Sequence, residues 1–151
     1  MSIQFVDMRI SLDSTQDTPG VEITSSSQPY VFGDIGLQTG GVLPANAGSV
    51  RVTLHAYARL QMGITAAPTL VPNATFMIFR NGNPIFTTTY QKAASQTDIS
   101  YEMAAITAVD YPPAAEVLNG LIQYTISVTT NYDVTIGARS FSGIAAAGSN
   151  F

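Results

Sequence analysis

The chain has no cysteine and no tryptophan, one histidine and one lysine. Without cysteine there is no disulfide framework, no thiolate metal site and no cysteine nucleophile, so stability must come from packing. One imidazole, His55, anchors neither a histidine metal site nor a local catalytic triad, and it reads as a surface or interface residue. Charge is scarce as well. Charged residues make up 11% of the 151, against roughly 25% in soluble domains.

The six cations, Arg9, Arg51, Arg59, Arg80, Arg139 and Lys92, form no basic run, which argues against nucleic acid as a partner. The acids are mostly isolated, with no Asp-x-Asp calcium loop and no paired-carboxylate motif. Gly33, Gly36, Gly40, Gly41 and Gly48 lack the Lys-Ser or Lys-Thr of a phosphate cradle and read as bends. The expectation is therefore no catalytic residue, no metal and no cofactor: not an enzyme. No apolar run approaches the ~18 residues of a membrane helix. Residues 1–12 hold Asp7 and Arg9 inside their apolar pattern and lack the features of a signal peptide, so a place outside the cell would be reached by lysis or another route.

Thr, Ser, Ala, Gly and Asn fill the positions left by charge. A surface so weakly repulsive favours association, which suits a subunit covered by its neighbours, and the expected partner is another copy of the chain.

Period-two alternation dominates the sequence. In residues 49–62 the even positions are apolar throughout, while the odd ones hold Arg51, Thr53, His55, Tyr57 and Arg59. A helix would scatter these two sets, so the segment is a strand with one face in a core. Residues 73–80 and 84–90 read as a hairpin through Asn81-Gly82-Asn83, which tolerate positive φ. Residues 29–37, 98–109, 121–130 and 133–144 read as further strands, the last two as a second hairpin. Residues 114–118, after Pro112-Pro113, fit one helical turn.

Phe76, Phe79, Phe86, Tyr90, Tyr101 and Tyr124 fall within these strands and supply core or subunit-contact area. Eight or nine strands in one small domain imply an all-β sandwich, jelly roll or barrel.

Residues 3–12 also alternate, with Val6, Met8, Ile10 and Leu12 on one side, followed by the polar stretch 13–20. Two readings are open. The segment is the first strand of its own sheet, or an arm whose four apolar residues contact a neighbouring subunit. The division is then residues 1–20 as arm or strand with its linker and 21–151 as the globular domain.

Four stretches carry a family resemblance: Gly33-Asp34-Ile35-Gly36-Leu37, the alternating strand 50–60, Phe76-Met77-Ile78-Phe79-Arg80-Asn81-Gly82-Asn83-Pro84-Ile85, and Gly137-Ala138-Arg139-Ser140-Phe141-Ser142-Gly143. Across residues 30–143 the chain resembles exosporium and spore-surface (spore appendage) proteins of Bacillus-type spore formers. Those are similar to the globular heads of complement and tumour-necrosis-factor proteins, jelly rolls that form homotrimers. The resemblance implies a self-assembling structural subunit of a spore surface layer or spore fibre. It also implies homotrimers linked by the N-terminal arm, with other spore-surface proteins as further partners and no catalytic residues. The chain departs from the fibre-forming members in lacking collagen-like repeats, and from the cysteine-linked appendage proteins in lacking cysteine. A virion or phage jelly-roll protein and a carbohydrate-binding module are the alternatives.

Overall fold

The computed structural model describes residues 3–26, 29–63, 70–92 and 99–148, apart from the side chain of Leu12. The start of the strand expected at 98–109 therefore falls partly outside the described residues.

Alternation sets the central strand β4 (Arg51–Met62): Val52, Leu54, Leu60 and Met62 are sealed inside, and the odd residues point the other way. The tightest turn follows from its residues. Asn81 and Gly82 adopt φ of 47° and 81°, the left-handed pair that a two-residue hairpin needs, and they join β5 (Asn73–Arg80) to β6 (Asn83–Gln91).

Two antiparallel sheets result. The larger has the order β1 (Gln4–Ser14), β9 (Val134–Ala147), β4, β7 (Ser100–Asp110), with the short β2 (Val21–Ile23) also on β9. The smaller has the order β3 (Tyr30–Gln38), β8 (Leu121–Thr130), β5, β6. Sequence-distant strands lie side by side in both, as in a jelly roll, and the all-β jelly-roll sandwich is the fold of this chain. A 3₁₀ turn, Pro44–Ser49, and the single helical turn α1, Ala114–Leu118, close one end.

The core lies between the sheets. Phe32 meets Phe76 edge to face at 6.1 Å, and Tyr124, Phe141, Leu37 and Ile126 fill the space around them. Gly33 and Gly143 let the layers approach closely. A Cβ on Gly33 would collide with Phe141, and one on Gly143 would stand 2.7 Å from Ile35 and 3.0 Å from Leu54.

Two expectations need correction. Residues 121–130 and 133–144 do not form a hairpin: β8 pairs with β3 and β5, and β9 with β1, β2 and β4. The reason is the anchoring of the break between them. Asn131 Oδ1 accepts from the Asn73 amide at 2.8 Å and its Nδ2 donates to the Val71 carbonyl at 2.9 Å, so the chain leaves β8 still tied to β5 and crosses to the other sheet.

The second correction concerns the spacer at 13–20, which does not carry the N-terminal segment away. β1 is the edge strand of its own sheet, in register on β9 from Gln4↔Ala147 to Ser14↔Arg139, and β2 continues along the same edge. Side-chain contacts of Asp13 and Asp17 hold the intervening loop against the sandwich.

Candidate functional site

Strand phase decides what each sheet shows to solvent. On the larger sheet the outward residues of β1, β9, β4 and β7 align in cross-strand rows. One row is Met8, Ile144, Thr53, Val109, and the next is Ile10, Ser142, His55, Thr107. The three most exposed large hydrophobics among the described residues, Met103 at 69%, Ile10 at 68% and Phe5 at 65%, all lie on this face. Carboxylates are few on it: Asp7, Glu102 and Asp110 occupy the inward phase of the same strands, while Glu22 of β2 falls in the outward row with Thr135 and Gln61.

Its two outward arginines are muted. Arg51 lies over the Tyr111 ring at 4.5 Å. Arg59 lies over Tyr101 at 4.8 Å and is paired with Asp17 at 2.7 Å. The smaller sheet carries more hydroxyls, with the row Thr129, Thr75, Thr89 and with Thr87 beside Met77, and Val31 and Leu121 are its exposed apolar residues.

The sequence-derived arm residues fall as follows. Met8 and Ile10 project from the apolar face, Val6 is half-buried beside the core, and the side chain of Leu12 lies outside the described residues. His55 sits in the middle of the face with Nδ1 3.2 Å from the Thr107 hydroxyl. Four strands ~4.8 Å apart and about eleven residues long at ~3.3 Å each give a face of roughly 700 Å², close to the ~800 Å² per partner of a standard protein interface.

Acids that stand far apart in the sequence meet at the helical end. Arg80 donates to both carboxylate oxygens of Asp110 at 2.7 and 2.9 Å and through Nε to Glu116 at 2.9 Å. The fully buried Tyr124 hydroxyl donates to Asp110 at 2.7 Å. Asn81 extends the network, donating to Glu116 and accepting from the Gln123 amide. Burial, then the bond to Asp110, raises the Tyr124 hydroxyl well above its usual range. Burial acts to lower the Arg80 guanidinium, yet its two carboxylates raise it. Every member is committed to a partner, so the cluster is a lock between β5, β7, β8 and α1.

A second cluster ties down the N-terminal segment. Arg139, 6% exposed, donates through Nε to Asp13 at 2.6 Å, through Nη1 to the Gly137 carbonyl and through Nη2 to the Tyr30 hydroxyl, which itself donates to Asp13 at 2.6 Å. Tyr30 first, and then Arg139, hold the Asp13 carboxyl below its usual range. Asp17 accepts from the Ala138 amide. Asp7 accepts from the Gln38 amide at 2.8 Å and Ser11 from the Asp34 amide at 3.1 Å, closing the edge of β3. Across the opposite side, Tyr90 donates to Glu102 at 2.6 Å; this bond and burial push Tyr90 up to about 12.

Among the described residues no three His, Asp or Glu side chains gather as a metal site, and no helix is long and apolar enough to cross a membrane. These clusters were not apparent in the sequence, since Asp110, Glu116 and Arg80 show no spacing signal. The face was partly legible in the odd residues of 49–62.

No protein-family model and no curated protein matches the chain. Among solved structures it is similar to a chain of infectious bursal disease virus, Gx strain, with TM-score 0.53 and 9% identity over 96% of this chain and 34% of that one. The Gt strain chain gives 0.50 and 10% identity, over 96% and 34%. Eiger TNF from S. frugiperda gives 0.47 and 11% identity, over 98% and 95%. The chain thus spans about a third of the length of the virus chains it matches, and at these identities the likeness concerns the fold.

Proposed function

We propose that this protein is a structural subunit that assembles with copies of itself through the outer face of the larger sheet, as part of a bacterial spore surface layer or spore fibre. The observation that carries the reading is the contrast between the two outer faces. One carries the hydroxyls of Thr75, Thr87, Thr89 and Thr129; the other gathers the three most exposed apolar side chains and has its outward arginines stacked on tyrosines. Exposed apolar side chains spread over a face near the size of a standard interface are costly to leave in water and are stabilised by a partner that covers them. A second copy is such a partner, and the homotrimer implied by the family resemblance is the smallest unit of this reading. The spore setting rests on that resemblance.

Sedimentation at micromolar concentration tests the assembly. The parent chain is expected as a homotrimer or larger species, and Ile144→Arg with Met103→Glu as a monomer of unchanged far-UV spectrum. A monodisperse parent monomer refutes the reading. Immunogold labelling of intact spores tests the setting. The second reading, a virion structural subunit, draws on the likeness in fold to the virus chains and would use the same face; label on phage particles and none on spores would decide for it.

A further inference from the structure

The four long edge strands of the sandwich are not equally protected. β1 carries register shifts at Phe5/Asp7 and Leu12/Ser14. β3 carries one at Val31/Gly33, and its Asp34 and Gln38 amides are capped by Ser11 and Asp7. β6 begins beside Pro84 and breaks register where Ile78 and Phe79 meet it. Bulges, proline and inward charges are the devices that keep an edge from pairing with another chain. β7 has none of them along its middle. Its pairing with β4 runs from Asp110 to Ser100 without a shift. Between Met103 and Val109 it has no charge, proline or glycine, and no side chain caps its main chain among the described residues. Glu102 and Asp110, at either end, are engaged inward by Tyr90 and by Arg80 with Tyr124.

We propose that β7 is a pairing edge that takes β7 of a second copy, antiparallel about a two-fold axis near Ile106, joining the two larger sheets into one that continues across the subunits. A second copy fits this edge because the run is self-complementary. Uncharged residues meet uncharged residues, and reversing Met103–Val109 about its centre places Met103 opposite Val109. The pairing also makes the apolar outer face continuous over both copies. Seven residues of edge bury much less than a standard interface, so the contact acts between subunits that the face already gathers, where the effective concentration is high. The inference rests on the self-assembly reading and adds a second, two-fold contact. Two distinct contacts per subunit are what a larger shell, layer or fibre requires.

The absence of cysteine makes the test direct. Ala105→Cys, Ile106→Cys and Thr107→Cys are made singly, with Thr89→Cys on β6 as control, and mild oxidation is followed on non-reducing gels. In a two-fold antiparallel pair the axis residue meets its own copy at about 5 Å between Cα atoms, and a residue one step away at about 8 Å, beyond disulfide reach. Opposed residues share a face, so the axis passes through a residue, and one of the three positions is therefore expected to cross-link at least tenfold faster than the control. Cross-linking no faster than Thr89→Cys at all three positions overturns the β7 contact. Sedimentation of the parent separates the two failures: an oligomeric parent without β7 cross-links leaves the face reading standing, and a monomeric parent removes both.

Discussion

Replacing Asp110 with Ala tests the lock at the helical end of the sandwich. The substitution removes the acceptor for two Arg80 bonds and for the Tyr124 hydroxyl, which has no exposure to water. Breaking a buried ion pair from one side costs about 3–5 kcal/mol, and the lower end applies because Glu116 still receives Arg80 Nε. With a urea slope of about 2 kcal/mol per M, a loss of about 3 kcal/mol moves the unfolding midpoint down by about 1.5 M. Tyr124→Phe removes a single hydrogen bond and leaves Asp110 with Arg80, so it should cost about 1 kcal/mol, or about 0.5 M. The double variant carries the sharper test. Phenylalanine has no hydroxyl to strand, so the two changes together should cost about 1 kcal/mol less than their sum. Urea unfolding followed by far-UV circular dichroism on all four proteins gives the cycle. A midpoint shift below ~0.5 M for Asp110→Ala, or strict additivity, would refute the view that these groups act as one network.

Leu54→Asp places an unpaired charge at a position with no solvent exposure and should leave no soluble folded protein, whereas Thr53→Asp on the outer face should fold; equal soluble yields would mean the strand phase is misassigned. The Asp13 carboxyl is held below its unfolded value, so its contribution to stability is present above the ordinary carboxylate range and is lost as pH falls through the lowered folded value. Thermal melts between pH 6 and pH 2 should therefore show a smaller acid-side drop for Asp13→Asn than for the parent. Deleting residues 1–13 strips β9 of its edge partner and leaves the buried Arg139 without Asp13, so the truncated protein should melt far lower than the parent. A parent-like melting temperature would restore the reading of the segment as a detachable arm.

The strands were legible wherever period-two alternation and turn residues agreed. β5 and β8 fall on the residues read from the sequence, as does the helical turn 114–118. Pairing was less legible, because alternation tells which face of a strand is inside and says nothing about its neighbour. Residues 121–130 and 133–144 look like a hairpin from their spacing alone, and only the Asn131 anchor to Asn73 and Val71 shows why the chain changes sheets. β2 was missed because three residues are too few to establish a period. The polar clusters were missed because Arg80, Asp110, Glu116 and Tyr124 are joined by tertiary packing, and the phase of β1 hid inward polar roles for Asp7 and Ser11 beside the apolar residues that drew attention.

The strand order also has a consequence in time. In the larger sheet β4 is flanked by β7 and β9, and β9 in turn holds β1, so the neighbour that completes β1 and β4 is made after every other described strand. A ribosome extending the chain cannot let this sheet close before residue 147 has emerged, and the loops to be closed span much of the sequence. Folds dominated by such distant pairings form in milliseconds to seconds, slowly beside helical bundles. During that interval the uncharged stretch of β7 stands without its sheet. Newly made chains are thus most prone to aggregate before β9 has emerged, and slower elongation upstream of residue 134 should lengthen that exposure and lower the yield of soluble protein.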